Sequence, residues 1–200
     1  MRITKQQHGW MLLAIGIFLT TATAAVAINS LRYGLHLNYS ISRYVGLETW
    51  SALTFGLGNI IGATFIARYL FAVGRIWKLP KWCFWVVVVM AVGLIGLSLC
   101  PLGYFSVRGL GTVPDRIHEI CSRTMFLCMI VVTGIVMMLR AVKPGVRLLC
   151  VLFVLYGLFC VFGYFSKIEW FLGHLLIFES SYIIAFMLTG LSFQSKMQKR

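Results

Sequence analysis

The sequence predicts an all-α protein: a polytopic transmembrane bundle of six helices. Three observations carry that expectation. The 200-residue chain is 60% hydrophobic and 12% charged, whereas soluble domains run at about 45–50% apolar with about a quarter charged. Its mean hydropathy is +0.90. Six apolar runs recur along it, each near the roughly 20 residues that a helix needs to cross a bilayer. The runs are continuous, which fits helices rather than barrel strands with their alternating pattern. This composition excludes a soluble globular enzyme, a disordered chain and a disulfide-stapled secreted module. Residues 1–200 read as one integral membrane domain.

The first run, Trp10–Ser30, follows Arg2 and Lys5 and carries Ala25-Val26-Ala27. Those features resemble a signal peptide, but the apolar stretch exceeds the usual 7–15 residues, so a retained helix is expected. The second run, Glu48–Leu70, has a stripe of small residues at Ala52, Gly56, Asn59, Ala63 and Ala67, with Gly58 and Gly62 beside it. Lipid offers helices no hydrophobic drive to associate, so small residues mark close packing. This helix is expected at the bundle centre. The third run, Cys83–Gly103, repeats the spacing with Gly93, Gly96, Cys100 and Gly103. The remaining runs are Cys121–Ala141, Val146–Ser166 and Trp170–Leu191, and the longest connections are 31–47 and 104–120.

Charge sets the orientation. Of 18 Lys and Arg residues, 12 fall on the side of the N-terminus, including Arg68, Arg75, Lys78, Lys81, Arg140, Lys143, Arg147 and the tail. The other six are Arg32, Arg43, Arg108, Arg116, Arg123 and Lys167. The positive-inside rule then puts both termini in the cytoplasm. Four of the five acids fall on the outer side, and all six tryptophans lie near run ends, where indoles prefer the interface. The formal charge of +13 is therefore read as topology, and no nucleic-acid partner is expected. Six cysteines in an apolar chain are not a disulfide framework. Cys100 and Cys121 share a depth near the outer ends of consecutive antiparallel helices, where a bond can form if their Cα atoms come within about 7 Å.

One internal echo occurs. Cys100-Pro-Leu-Gly-Tyr-Phe-Ser106 matches Cys160-Val-Phe-Gly-Tyr-Phe-Ser166 at an offset of sixty. A parallel repeat of hairpins would produce it, and so would chance in a chain rich in Phe and Gly.

The familiar nucleotide, nucleophile-elbow and zinc-protease motifs are absent from the sequence, so candidate chemistry rests on the distribution of polar groups. Asp115, His118, Glu119 and Ser122 fall at i, i+3, i+4 and i+7, so one helical face can present all four; Asp115 can equally cap that helix. His118 and His174 are expected at one depth, beside Cys121 and Trp170, where two imidazoles can share a ligand or substrate. Asp115, His118, Glu119 and His174 are the catalytic candidates. The plain alternative is two separate histidines, each bonded to a local carbonyl. Glu179 lies inside the last run, where a carboxylate is costly and marks function or helix–helix contact. It stands five residues from His174, about 140° around a helix, so the two need not share a site. Asn59 is its candidate partner. Glu48, Asn59 and Glu179 are the ligand-binding candidates. Haem or zinc between His118 and His174 is the weaker alternative for this pair; no cofactor and no metal site is expected.

The order of certain residues also resembles a family. Ser42 precedes a second span with Phe55 and Asn59; Pro101 ends the third; His118 opens a fourth with Ser122 and Phe126. Over about residues 40–140 this is similar to six-helix bacterial membrane proteins of unknown function related to the damage-regulated autophagy modulator (DRAM) superfamily. The resemblance implies a fold more than an activity. Taken together, the reading is a multi-pass protein of the bacterial cytoplasmic membrane. It binds a lipid, or another membrane protein, through its outer polar face; the alternative is an intramembrane enzyme or small-solute transporter using the His, Asp and Glu cluster.

Overall fold

The computed structural model describes residues 4–138 and 143–193. Arg2, Arg140, Lys196, Lys199, Arg200 and the expected end of the fourth run at Ala141 lie outside the described residues. Thr4 opens the first helix. Its hydroxyl accepts the Gln7 N–H at 3.2 Å and the Gln7 side chain accepts the Thr4 N–H at 2.9 Å, a reciprocal box that satisfies two donors at a helix start. The elements are α1 (Lys5–Tyr33), α2 (Ile41–Leu47), α3 (Thr49–Ile76), α4 (Lys81–Leu99), α5 (Val113–Met138), α6 (Pro144–Phe165), α7 (Glu169–Gly173) and α8 (Leu175–Ser192). Six of them, α1, α3, α4, α5, α6 and α8, are long and apolar enough to cross a membrane. Among the described residues there is no strand.

The six long helices form a ring. Each packs on the next, and α8 returns to α1. Close approach depends on glycine. A Cβ on Gly58 would stand 2.9 Å from the Thr21 methyl of α1, one on Gly56 would stand 3.0 Å from the Ser98 carbonyl oxygen of α4, and one on Gly93 would stand 3.1 Å from the Cys121 carbonyl oxygen of α5. The small-residue stripe of the second run therefore divides its work between two neighbours, and α3 is the most buried of the six. Tyr69 of α3 is fully buried and donates its hydroxyl to the Gly190 carbonyl of α8 at 2.8 Å. That bond crosses the ring and satisfies a polar atom that lipid could not.

Four features depart from the sequence expectation. The helix α2 forms within the connection expected after the first run. The fourth helix begins at Val113 rather than at the apolar boundary near Cys121: its first turns carry Asp115, Arg116, His118 and Glu119, and helix hydrogen bonding does not require the apolar composition that crossing a bilayer does. The last run is broken at His174 (φ −122°, ψ 29°): its N–H turns back to the Phe171 carbonyl at 3.1 Å, and the Leu176 N–H is spent on the Leu37 carbonyl at 3.0 Å. Finally, the two copies of the internal echo differ. Pro101 lacks an N–H and restricts the residue before it, so 100–106 is a series of turns, whereas 160–165 stays inside α6.

Candidate functional site

The site is organised by α2, which sits where the C-terminus of α1 meets the N-termini of α3 and α8. The floor is a polar knot. Asn29, buried in α1, donates from Nδ2 to the Tyr44 carbonyl at 2.7 Å and to the Ser51 hydroxyl at 3.1 Å. Ser51 passes its own proton to the Val45 and Glu48 carbonyls, both at 2.9 Å. Both ends of α2 are held from afar. At the start, Ser40 Oγ accepts the Arg43 N–H at 3.1 Å and Glu179 Oε2 of α8 accepts the Ile41 N–H at 2.7 Å. At the end, the Arg108 guanidinium lies 3.5 Å from the Gly46 and Leu47 carbonyls, donates to the Tyr104 carbonyl at 2.8 Å, and stacks 3.9 Å over the Tyr104 ring. A carboxylate at a helix start and a cation at its end each complement the unpaired backbone groups there.

Glycine lets the 100–112 loop close over α2. The backbone of Leu102 occupies the place where a Cβ on Gly46 would stand, and Gly103 adopts φ +76° beside the Arg43 guanidinium. In that left-handed conformation the Gly103 N–H reaches the Asp115 carboxylate at 2.8 Å.

Beside the start of α2 lies a cavity of about 160 Å³. Its polar groups gather at the α2 end of the bundle: Ser40, Ser42, His118, Glu119, Ser122 and Glu179. Deeper, the walls are apolar, from Phe126 and Leu127 of α5, Gly157 and Val161 of α6, and the ring of Tyr182 of α8. Leu127 and Phe165 line it and are also 45% and 56% exposed, so the cavity reaches the outer surface of the ring. Arg123 borders it as well. Its guanidinium pairs with Glu119 at 3.1 Å and lies 5.6 Å from the Tyr164 and Phe165 ring centroids. Tyr182 donates to the Phe126 carbonyl at 2.8 Å, and Tyr156 shares a proton with Ser181 at 2.6 Å, so the hydroxyls near the apolar part are engaged.

A second, smaller cavity of about 50 Å³ lies on the ring axis among α1, α3, α4, α5 and α8. Three residues, Ser42, His118 and Glu179, line both cavities. They form a polar partition between the ring's side opening and its axis, with Asn59 on the axial side. Space for about one water molecule needs some 10–15 Å³ and two to four polar partners; the axial cavity offers both.

The candidates from the sequence distribute unevenly. His118 is buried at the partition, and its Nδ1 donates to the Cys100 carbonyl at 2.7 Å. Glu119 stands on the cavity rim with Arg123. Asp115 is turned to Gly103 and does not line either cavity. His174 Nδ1 donates to its own Trp170 carbonyl at 2.9 Å, and His174 lines neither cavity. Each of the two imidazoles is thus held by a nearby carbonyl. Asn59 and Glu179 both line the axial cavity, with no hydrogen bond between them, and the Glu179 oxygen bonds Ile41. Glu48 lies elsewhere, accepting Arg32 at 2.6 Å and the Tyr33 hydroxyl. Among the described residues no three His, Cys, Asp or Glu side chains are grouped to hold a metal. All six cysteines are free thiols. Cys100 lies just beyond α4, and its thiol is pushed above the ordinary range by burial, with the Cys121 thiol and Asp115 adding to the effect.

Sequence reasoning missed Asn29 and Ser51, the α2 lock, and Arg123 as a wall of the cavity. Asn29 had a signal, being the one carboxamide within the first run. In comparisons with known proteins, no family model, no curated protein and no solved structure matches this chain.

Proposed function

We propose that this chain is a six-span protein of the bacterial cell membrane, both termini cytoplasmic, that takes a hydrocarbon chain of a membrane lipid into the cavity between α5, α6 and α8. The observation that carries this reading is the arrangement of that cavity: polar groups at the α2 end, apolar walls below, and an opening onto the ring's outer surface at Leu127 and Phe165. A lipid in the outer leaflet has its headgroup and chain in the same order. The volume decides how much enters. An apolar cavity of about 150 Å³ holds a benzene-sized group, and a drug-sized ligand needs at least about 300 Å³. One chain segment fits; a whole diacyl lipid does not, so its remainder stays against the bilayer.

The DRAM-related resemblance supports this part of the molecule. Of the seven residues that carry it, Ser42, His118, Ser122 and Phe126 line this cavity, Phe55 and Asn59 line the axial one, and Pro101 lines neither. The reading is tested by replacing Val161 with Phe, which fills the apolar part of the cavity. Protein purified in mild detergent is extracted with organic solvent and its retained lipid is measured. Val161→Phe should retain less than wild type while eluting at the same size; equal retention refutes the reading.

The shared partition of Ser42, His118 and Glu179 favours a second reading, passage of a small solute from the side cavity to the axis. Proteoliposomes that admit small polyols faster than protein-free vesicles, in a manner lost in Ser42→Phe, would support it over lipid binding.

A further inference from the structure

The cavity's polar end also carries information on the head of its occupant. We infer that the site selects a single-chain amphiphile with an uncharged, hydroxylated head, such as a monoacylglycerol, over one with an anionic head. This rests on the proposed uptake of a hydrocarbon chain and adds the head chemistry.

The argument is one of charge and unused hydrogen-bonding capacity. Two carboxyls, Glu119 and Glu179, and one guanidinium, Arg123, line the cavity, so the wall carries no net positive charge. The guanidinium is paired with Glu119 at 3.1 Å and lies against the Tyr164 and Phe165 rings. A phosphate or carboxylate head would enter without an excess of positive charge to offset it, and an unbalanced charge in a poorly solvated site is costly. Glu179 has one oxygen on the Ile41 N–H, and a carboxylate has about four lone-pair sites. The same cavity is lined by Ser42 and Ser122, hydroxyls that both donate and accept. Uncharged ligand hydroxyls can pair with every member of this set. A glycerol head supplies two hydroxyls, and the volume of about 160 Å³ admits the first segment of one chain beneath it.

The test uses the full chain in lipid nanodiscs and a monoacylglycerol with a photoreactive diazirine in its acyl chain. After illumination the labelled peptides are sequenced, and unlabelled monooleoylglycerol, oleic acid and oleoyl lysophosphatidic acid are added as competitors. Label is expected on 122–127 and 157–165, with monooleoylglycerol competing about tenfold better than either anionic amphiphile, the equivalent of one charge-assisted hydrogen bond. Glu179→Gln replaces one acceptor oxygen by an amide donor and should narrow that ratio to about threefold or less. Equal competition by all three amphiphiles overturns the head selectivity and leaves chain uptake standing. No label on these segments overturns both. A ratio unchanged in Glu179→Gln, in protein that still labels on the same peptides, overturns the assignment to Glu179.

Discussion

Replacing Asn29 with Ala should release α2 without unfolding the ring. The carboxamide is 1% exposed and holds two acceptors, the Tyr44 carbonyl at 2.7 Å and the Ser51 hydroxyl at 3.1 Å. Two bonds at about 1 kcal/mol each amount to about 2 kcal/mol. The average of about 0.6 kcal/mol per interhelical bond found within bilayers sets a lower figure near 1.2. The upper value applies if α2 opens to interfacial water, since the Tyr44 carbonyl then finds new partners only in the open state. At about 1.4 kcal/mol per factor of ten, the open population of α2 rises between about sevenfold and thirtyfold. Ser51 keeps its own acceptors, Val45 and Glu48, so α3 should be unaffected. The assay is amide hydrogen exchange in nanodiscs, read on peptides covering 41–47 and, as internal reference, on α4 and α6. Local opening speeds exchange in the first peptide and leaves the references alone. Unchanged exchange at 41–47 would refute the reasoning that Asn29 holds α2. Acceleration everywhere would show that Asn29 serves the whole ring instead.

Three further outcomes are expected. A cysteine introduced at Thr112 should react with a membrane-impermeant maleimide added outside intact cells, and one at Lys78 only after lysis; the reverse pattern overturns the charge argument for orientation. Gly93→Val forces side-chain atoms into a gap where a Cβ already stands 3.1 Å from the Cys121 carbonyl oxygen and 3.3 Å from Met125 Cβ. It should cost about 1–3 kcal/mol, seen as a lower thermal unfolding temperature in detergent, whereas Gly134→Ala, with open space around its Cβ, should not lower it. Intact-mass measurement after full alkylation of denatured protein without reductant should find six modified cysteines. In folded protein, Cys100 should alkylate more slowly than a free thiol at pH 8 and speed up as pH rises, because its raised pKa leaves less thiolate at a given pH; a rate equal to that of glutathione contradicts this.

The six long helices were legible because the bilayer requires each span to be apolar over its whole length, which leaves a mark that needs no knowledge of neighbours. The helix α2 left no such mark. Its seven residues, Ile-Ser-Arg-Tyr-Val-Gly-Leu, are mixed in character, and what holds them comes from Asn29, Arg108 and Glu179, on three separate elements. Among the site residues, His118 and Glu179 stood out as polar groups at the edge of, or inside, apolar runs, and both border the cavity. His174 was chosen by the same reasoning. Depth is one coordinate of a residue in a bundle, and the direction around the helix axis is another. His118 and His174 agree in expected depth, but the second is held by the Trp170 carbonyl and lines neither cavity. Asp115 and Glu119 share a helical face as their spacing implies, yet one is taken by the Gly103 N–H and the other by Arg123. Those partners are set by how the 100–112 loop folds back, and the positive φ at Gly103 that allows it is not written in hydropathy.

The bond between Ile41 and Glu179 has a consequence for how the protein is made. The two residues are 138 positions apart, and chains are synthesised at about 5–20 residues per second, so Ile41 waits about 7–28 s before its acceptor exists. Leu37 waits about as long for Leu176. During that interval five spans can already be in the bilayer while α2 lacks its latch and the ring lacks its closing wall. The side cavity, with α8 as one of its sides, comes into being only at the last insertion step. Under the proposed uptake of a lipid chain, the surrounding lipid is at hand at the moment the cavity closes, and biogenesis itself would be an occasion for loading.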